Sequence, residues 1–159
     1  MKIDIIIPAH NEAAFIGKTL ESLASQTLLP RQLVVVDDNS DDGTANIIKE
    51  FSRKYPFIRL VRSASTDSHL PGSKVIDAFF TGFKTLKEDY EVICKFDADL
   101  IFPKDYLEKI TAHFTSDLRV GMAGGFCQIE RNGEWVLEKL TGKDHLRGAL
   151  KAYRKACFM

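Results

Sequence analysis

The chain has 159 residues, 45% hydrophobic and 28% charged, which is enough for one packed core and too few for two domains. Lysine plus arginine and aspartate plus glutamate each number 22, so the basic excess that broad nucleic-acid binding requires is missing. The first apolar run, Ile3 to Ile7, is stopped at Pro8 and is too short for a signal peptide, and no run has the length of a membrane span; a cytoplasmic protein is expected.

Lys2 to Ile7 is β-branched and nearly all apolar, as in a strand buried on both faces of a parallel sheet. Asn11 is positioned to cap a helix whose inner face is Ile16, Leu20, Leu23 and Thr27, with a stop at Pro30. Leu33 to Val36 predicts a second buried strand, and Ile47, Ile48 and Phe51 the inner stripe of a second helix. Phe57 to Val61 reads as a third strand nearer an edge. Arg62 to Gly72 is a long polar loop, a feature often tied to function.

Ser73 can cap a third helix with Val75, Ile76, Phe79, Phe80, Phe83 and Leu86 inward. Tyr90 to Cys94 predicts a further strand, and Pro103 sits at the start of a helix with Tyr106, Leu107, Ile110 and Phe114 on one face. Val120 to Ile129 reads as strand, with Gly124 and Gly125 marking a bulge or a close backbone approach, and Arg131 to Glu134 reads as a turn. Asp144 is a candidate cap for a last helix carrying Leu146, Ala149, Leu150 and Tyr153 inward. Cys94, Cys127 and Cys157 are odd in number with no C-x-x-C, so they are expected as reduced thiols. Alternating strands and helices predict an α/β domain with a mostly parallel sheet.

Polar clusters stand at three predicted strand ends: Pro8 to Glu12, Asp37 to Thr44, and Asp97 to Asp99. Ligands of open α/β sheets bind outside the carboxyl ends of the strands, so these clusters are expected to meet. The D-x-D of Asp97 and Asp99 can share a divalent cation with a ligand's phosphates. No G-x-G-x-x-G follows the first strand and no G-x-x-x-x-G-K-[ST] is present, which disfavours a dinucleotide redox site and a P-loop.

Ile5-Ile6-Ile7-Pro8-Ala9-His10-Asn11-Glu12, Val34 to Thr44 (Val-Val-Val-Asp-Asp-Asn-Ser-Asp-Asp-Gly-Thr) and Lys95-Phe96-Asp97-Ala98-Asp99 resemble, in this order, the nucleotide-sugar-binding half of a family 2 glycosyltransferase with the GT-A fold. The resemblance covers residues 2 to 159. It implies that Pro8, Ala9, Asn11 and Glu12 line the base and ribose of a nucleotide diphosphate sugar. It also implies that Asp38 reads the imino hydrogen of a pyrimidine with Asp37 in support, and that Asp99 ligates Mn²⁺ or Mg²⁺. Asp97, beside Ala98, would then reach the ribose or a water on the metal. Helix capping is the alternative for Asn11 and Glu12, and turn and cap chemistry is preferred for Asp41, Asp42, Gly43 and Thr44.

Two departures from the family pattern matter. Relatives often carry Arg-Asn at the start of the third helix, where this chain has Gly72-Ser73-Lys74; Lys74 either meets base or phosphate there or is a solvated lysine. Relatives also continue into an acceptor-binding part that supplies the catalytic base, which is therefore expected beyond Met159. Asp144, Glu134 and His145 are the nearby titratable residues, and each reads as a cap or surface group.

The function expected is metal-dependent, inverting transfer from a nucleotide diphosphate sugar, UDP-linked in the first instance, to a glycan or lipid-linked acceptor. The alternative is a donor-binding module without turnover. A sugar-phosphate nucleotidyltransferase is disfavoured because Pro8 to Glu12 is not a glycine-rich basic loop. Arg147, Lys151, Arg154 and Lys155 would share one face of the last helix, either solvated or facing an anion such as a diphosphate or the inner membrane surface.

Overall fold

The structure is a computed structural model and describes residues 1–63, 72–139, 142 and 144–158. In chain order the elements are β1 (Ile3–Ala9), α1 (Ile16–Ala24), β2 (Gln32–Asp38), α2 (Thr44–Lys54), β3 (Ile58–Ser63) and α3 (Ser73–Phe83). They continue with β4 (Val92–Phe96), α4 (Tyr106–Ser116), β5 (Met122–Gly124), β6 (Gln128–Arg131), β7 (Glu134–Leu137), β8 (Leu150–Arg154) and α5 (Lys155–Phe158). The main sheet has the order β3-β2-β1-β4-β8-β5. β3, β2, β1 and β4 are parallel, whereas β8 runs antiparallel to β4 and β5 antiparallel to β8. This is the expected α/β architecture, with β3 at an edge.

The β-branched runs of β1 and β2 are buried on both faces. Ile5, Ile7, Leu33 and Val35 pack with Ile16, Leu20, Ile48, Leu107 and Phe114 of α1, α2 and α4. Ile6, Val34 and Val36 pack with Ala78 and Phe79 of α3 on the other face. Period-two alternation thus divides one strand between two cores.

α3 departs from the expected stripe. Its buried residues are Ala78, Phe79 and Gly82, while Val75, Ile76 and Phe80 are exposed. A Cβ on Gly82 would lie 2.7 Å from Val36 Cγ2 and 3.0 Å from Ile6 Cγ2. Small residues therefore form the sheet-facing row, and the helix backbone comes close enough to place its first turn over the carboxyl end of β2. Ile76 and Phe80, each two residues from Ala78, lie on the far side of the helix from that row.

The predicted last helix is instead strand β8. Leu150 and Ala152 alternate into the core, and the strand pairs with the edge of β4 that would otherwise be open. The apolar residues fit either period over so short a stretch, and pairing with β4 decides the outcome. α5 retains only Lys155–Phe158.

The region expected as one strand from Val120 to Ile129 is β5 and β6 with a break between them. The expected close approach holds there: a Cβ on Gly124 would lie 2.8 Å from the Leu150 carbonyl oxygen, and one on Gly125 2.9 Å from the Tyr106 ring. Asn132 and Gly133, at φ 53° and 81°, make the two-residue turn between β6 and β7.

Candidate functional site

A cavity of about 480 Å³ opens at the carboxyl ends of β1, β2 and β4. Its walls are Pro8, Ala9, His10 and Glu12 after β1, Asp38 and Asn39 after β2, Asp97, Ala98 and Asp99 after β4, and Lys74, Val75 and Ala78 on α3. The three polar clusters separated by tens of residues in sequence therefore meet, as their positions predicted. Asn11 and Asp37 are the two expected residues that do not line the cavity.

Asn11 ties loops together instead. It adopts φ 53° and Asn39 φ 57°, a left-handed conformation that asparagine tolerates well. The Asn11 backbone N–H donates to Ser40 Oγ (2.9 Å), and its side-chain Oδ1 accepts from the Asp41 N–H (3.0 Å). The Glu12 N–H donates to Thr44 Oγ1 (2.9 Å) and the Ala13 N–H to Asp42 Oδ2 (3.0 Å). Asp42 Oδ1 also accepts from the Thr44 N–H at 3.0 Å, in line with turn chemistry there. Asn11 is thus no helix cap: the cap position of α1 is Phe15.

Adjacent residues of β2 face opposite sides. Asp38 reaches the cavity, whereas Asp37 is fully buried on the other face, with Arg62 Nη1 3.1 Å from its Oδ2. That approach pairs the charges without hydrogen-bond geometry, and among the described residues neither Asp37 oxygen accepts a hydrogen bond. Asp37 belongs to the β2–β3 pairing rather than to the cavity wall.

The segment carrying the D-x-D is held from below by α1. Buried Thr19 donates from Oγ1 to the Ala98 carbonyl at 2.8 Å. Ser22 Oγ accepts from the Phe102 N–H at 3.1 Å, and Gln26 Oε1 from the Leu107 N–H at 3.0 Å. Polar Thr19, Ser22 and Gln26, three and four residues apart on α1 and just past its end, are the signal that could have revealed this. Asp97 is fixed through its N–H to the Ala149 carbonyl (2.8 Å) and through an ion pair with Lys95.

His10 also went unnoticed in the sequence. Its Nδ1 lies 2.7 Å from the Asp38 carbonyl, which can only accept, so Nδ1 carries the proton and Nε2 remains available at the cavity wall.

The site is electrostatically negative. Burial raises the Glu12 pKa above the ordinary glutamate value, and the charges of Asp99, Asp42 and Asp97 raise it further. Burial likewise raises the Cys127 thiol, against a lowering by Arg147. Among the described residues no group of three acidic, histidine or cysteine side chains could hold a metal by itself. Two carboxylates that leave part of a hard cation's oxygen shell to phosphates fit that finding.

The basic face expected near the C-terminus does not exist. Arg147 pairs with Glu138 at 2.5 Å, and Arg154 donates to the carbonyls of Phe114 (2.6 Å), Val120 (2.9 Å) and Asp117 (3.2 Å). Lys155 bonds the Glu88 carbonyl, and Lys151 lies within β8. The helical face on which the membrane-surface reading stood is therefore not formed. Asp144, Glu134 and His145 are exposed and outside the cavity. Residues 64–71, most of the expected long loop, lie outside the described residues.

A mostly parallel α/β sheet with an acidic cavity roofed by α3 at its carboxyl edge has its opening where open α/β sheets bind ligands. The glycosyl transferase family 2 model matches residues 4–156, and the chain belongs to that family. It is 35% identical over 141 residues to the probable glycosyltransferase YdaM of Bacillus subtilis, covering 87% of this chain and 32% of the relative. Among solved structures it resembles S. aureus TarS 1-349 in complex with UDP, with a TM-score of 0.67, 25% identity, and coverage of 98% of this chain and 47% of TarS. The mannosyltransferase PcManGT from Pyrobaculum calidifontis in complex with GDP-Man and Mn²⁺ gives a TM-score of 0.68 at 21% identity, covering 98% and 45%. These are GT-A folds, and the chain spans less than half the length of each of the three.

Proposed function

We propose that the chain is the donor-binding domain of an inverting glycosyltransferase, taking a nucleotide diphosphate sugar and serving transfer of the sugar to a glycan or lipid-linked hydroxyl. The observation that carries this reading is the meeting of Asp38, Glu12, Asp97 and Asp99 around one cavity with an apolar floor at Pro8 and Ala9. Pro8 and Ala9 offer a flat surface to a base. Asp38 accepts the imino hydrogen of a uracil, and Glu12 accepts from ribose hydroxyls. Lys74, in the first turn of α3, stands where a phosphate would benefit from both its ammonium and the helix N-terminus.

A divalent cation, Mn²⁺ or Mg²⁺, would be held by Asp99 with Asp97 beside it and would offset charge on the leaving diphosphate. TarS is described with UDP and PcManGT with GDP-Man and Mn²⁺, which supports the ligand class while leaving the base to be tested. Among the described residues of the cavity wall none is assigned as the acceptor's general base. The second reading, donor binding without turnover, shares every residue named above.

Thermal unfolding with UDP, GDP and their sugar conjugates, with and without Mn²⁺, tests the proposal. Mn²⁺-dependent stabilisation by one nucleotide class is expected, because a ligand that binds only the native state raises its stability by mass action. No stabilisation by any of them would sink it. Sugar release or transfer by this chain, compared with a chain extended beyond Met159, separates enzyme from binding module.

A further inference from the structure

β4 sends alternate side chains to opposite faces: Cys94, Phe96 and Ala98 enter one core, and Lys95 and Asp97 lie on the other side. Across the antiparallel pair Lys95 stands in register with Lys151 of β8, so two ammonium groups occupy directly opposed positions on one face. Like charges so placed repel. Lys95 resolves this by turning to Asp97, with its Nζ on Asp97 Oδ1 and 3.2 Å from the Gly148 carbonyl. Its side chain is only 20% exposed, against 41% for Asp97, so this is a partly desolvated contact. The Asp97 N–H meanwhile donates to the Ala149 carbonyl at 2.8 Å. Backbone and side chain of Asp97 are both tethered at the start of β8. Asp99 is exposed and has no hydrogen bond or ion pair among the described residues.

We infer that Lys95 is a positioning residue that acts as a built-in counter-cation of the D-x-D. It occupies one oxygen of Asp97 and adds a positive charge beside the cation position, which leaves Asp99 as the direct protein ligand. With one free carboxylate and a nearby ammonium, the protein alone is a poor cation site. The diphosphate oxygens complete it, so metal binding is conditional on the nucleotide and an empty site holds no metal. This rests on the donor-binding reading above.

Mn²⁺ titration followed by the electron paramagnetic resonance of the free aquo ion, with and without UDP, tests the inference on the whole chain. Wild type should bind Mn²⁺ weakly alone and markedly better with UDP. Lys95→Met should bind Mn²⁺ alone about tenfold or more tightly, since a nearby positive charge is removed and a carboxylate released. Lys95→Arg should behave as wild type. Adding Asp97→Asn to Lys95→Met should erase most of the gain, a result that a merely structural lysine would not produce.

Should the methionine variant not fold, as judged by circular dichroism, Lys95→Gln replaces it. UDP-dependent Mn²⁺ binding in wild type with no gain in either variant overturns the role of Lys95 and leaves the donor reading standing. A gain that survives Asp97→Asn overturns it too. No effect of UDP on Mn²⁺ binding in wild type overturns both.

Discussion

Carboxylates sit at both ends of this sheet and are treated in opposite ways. At the amino end, Asp4 of β1 is fully buried and meets the Arg31 guanidinium through both oxygens, with Arg31 Nε 2.8 Å from Oδ1. Arg31 also reaches Asp89 and the Lys87 carbonyl, so the fork is filled. At the carboxyl end, Glu12, Asp97 and Asp99 crowd one cavity, and burial, reinforced by the charges of Asp99, Asp42 and Asp97, raises the Glu12 pKa. A paired buried carboxylate holds the fold together, whereas a cluster left partly uncompensated is a place for a cation or hydroxyl donors from outside. The contrast separates structural from functional acids more surely than residue type does.

The largest effect is expected at the amino end. Arg31→Met strands the Asp4 charge and should lower unfolding stability by about 3–5 kcal/mol in urea titration, with UDP affinity of the folded fraction unchanged. A loss well under 1 kcal/mol would mean that the two ends do not differ as described. Asp99→Asn should do the reverse: no loss of stability, and no remaining Mn²⁺-dependent stabilisation by UDP. Retained stabilisation in a thermal scan removes Asp99 from the metal position.

Asp38→Ala should cost about 1–3 kcal/mol of UDP affinity by calorimetry, as a lost hydrogen bond to a charged acceptor does, with a much smaller change in Mn²⁺ affinity. Equal UDP affinities would count against base reading. The smallest effect belongs to Glu12. Its raised pKa means the fold disfavours the charged form, so the stability it contributes is present below the ordinary glutamate pKa and lost as pH rises through the raised value. Without metal, Glu12→Gln should therefore melt slightly higher than wild type near pH 7 and alike near pH 3; a lower melting point at pH 7 contradicts the cost of a buried charge beside other carboxylates.

Much of this was determined by the sequence alone, because the signals act over a few residues. β-branched runs at Ile3 to Ile7 and Leu33 to Val36 predict buried strands, and polar clusters placed just beyond strand tips predict one carboxyl-edge site. What only the tertiary structure decided depends on partners far along the chain. Leu150 to Arg154 is strand because β4 offers an open edge more than 50 positions earlier, and no local period settles that. Gly82 selects the buried face of α3 because Val36 and Ile6 approach so closely. Asp37 and Asp38 look equivalent in a list of residues, yet the pleat of β2 sends one under Arg62 and the other into the cavity. Thr19, Ser22 and Gln26 read as ordinary polar residues until the loop after Asp99 comes to rest on them, its backbone needing hydrogen-bond partners away from water.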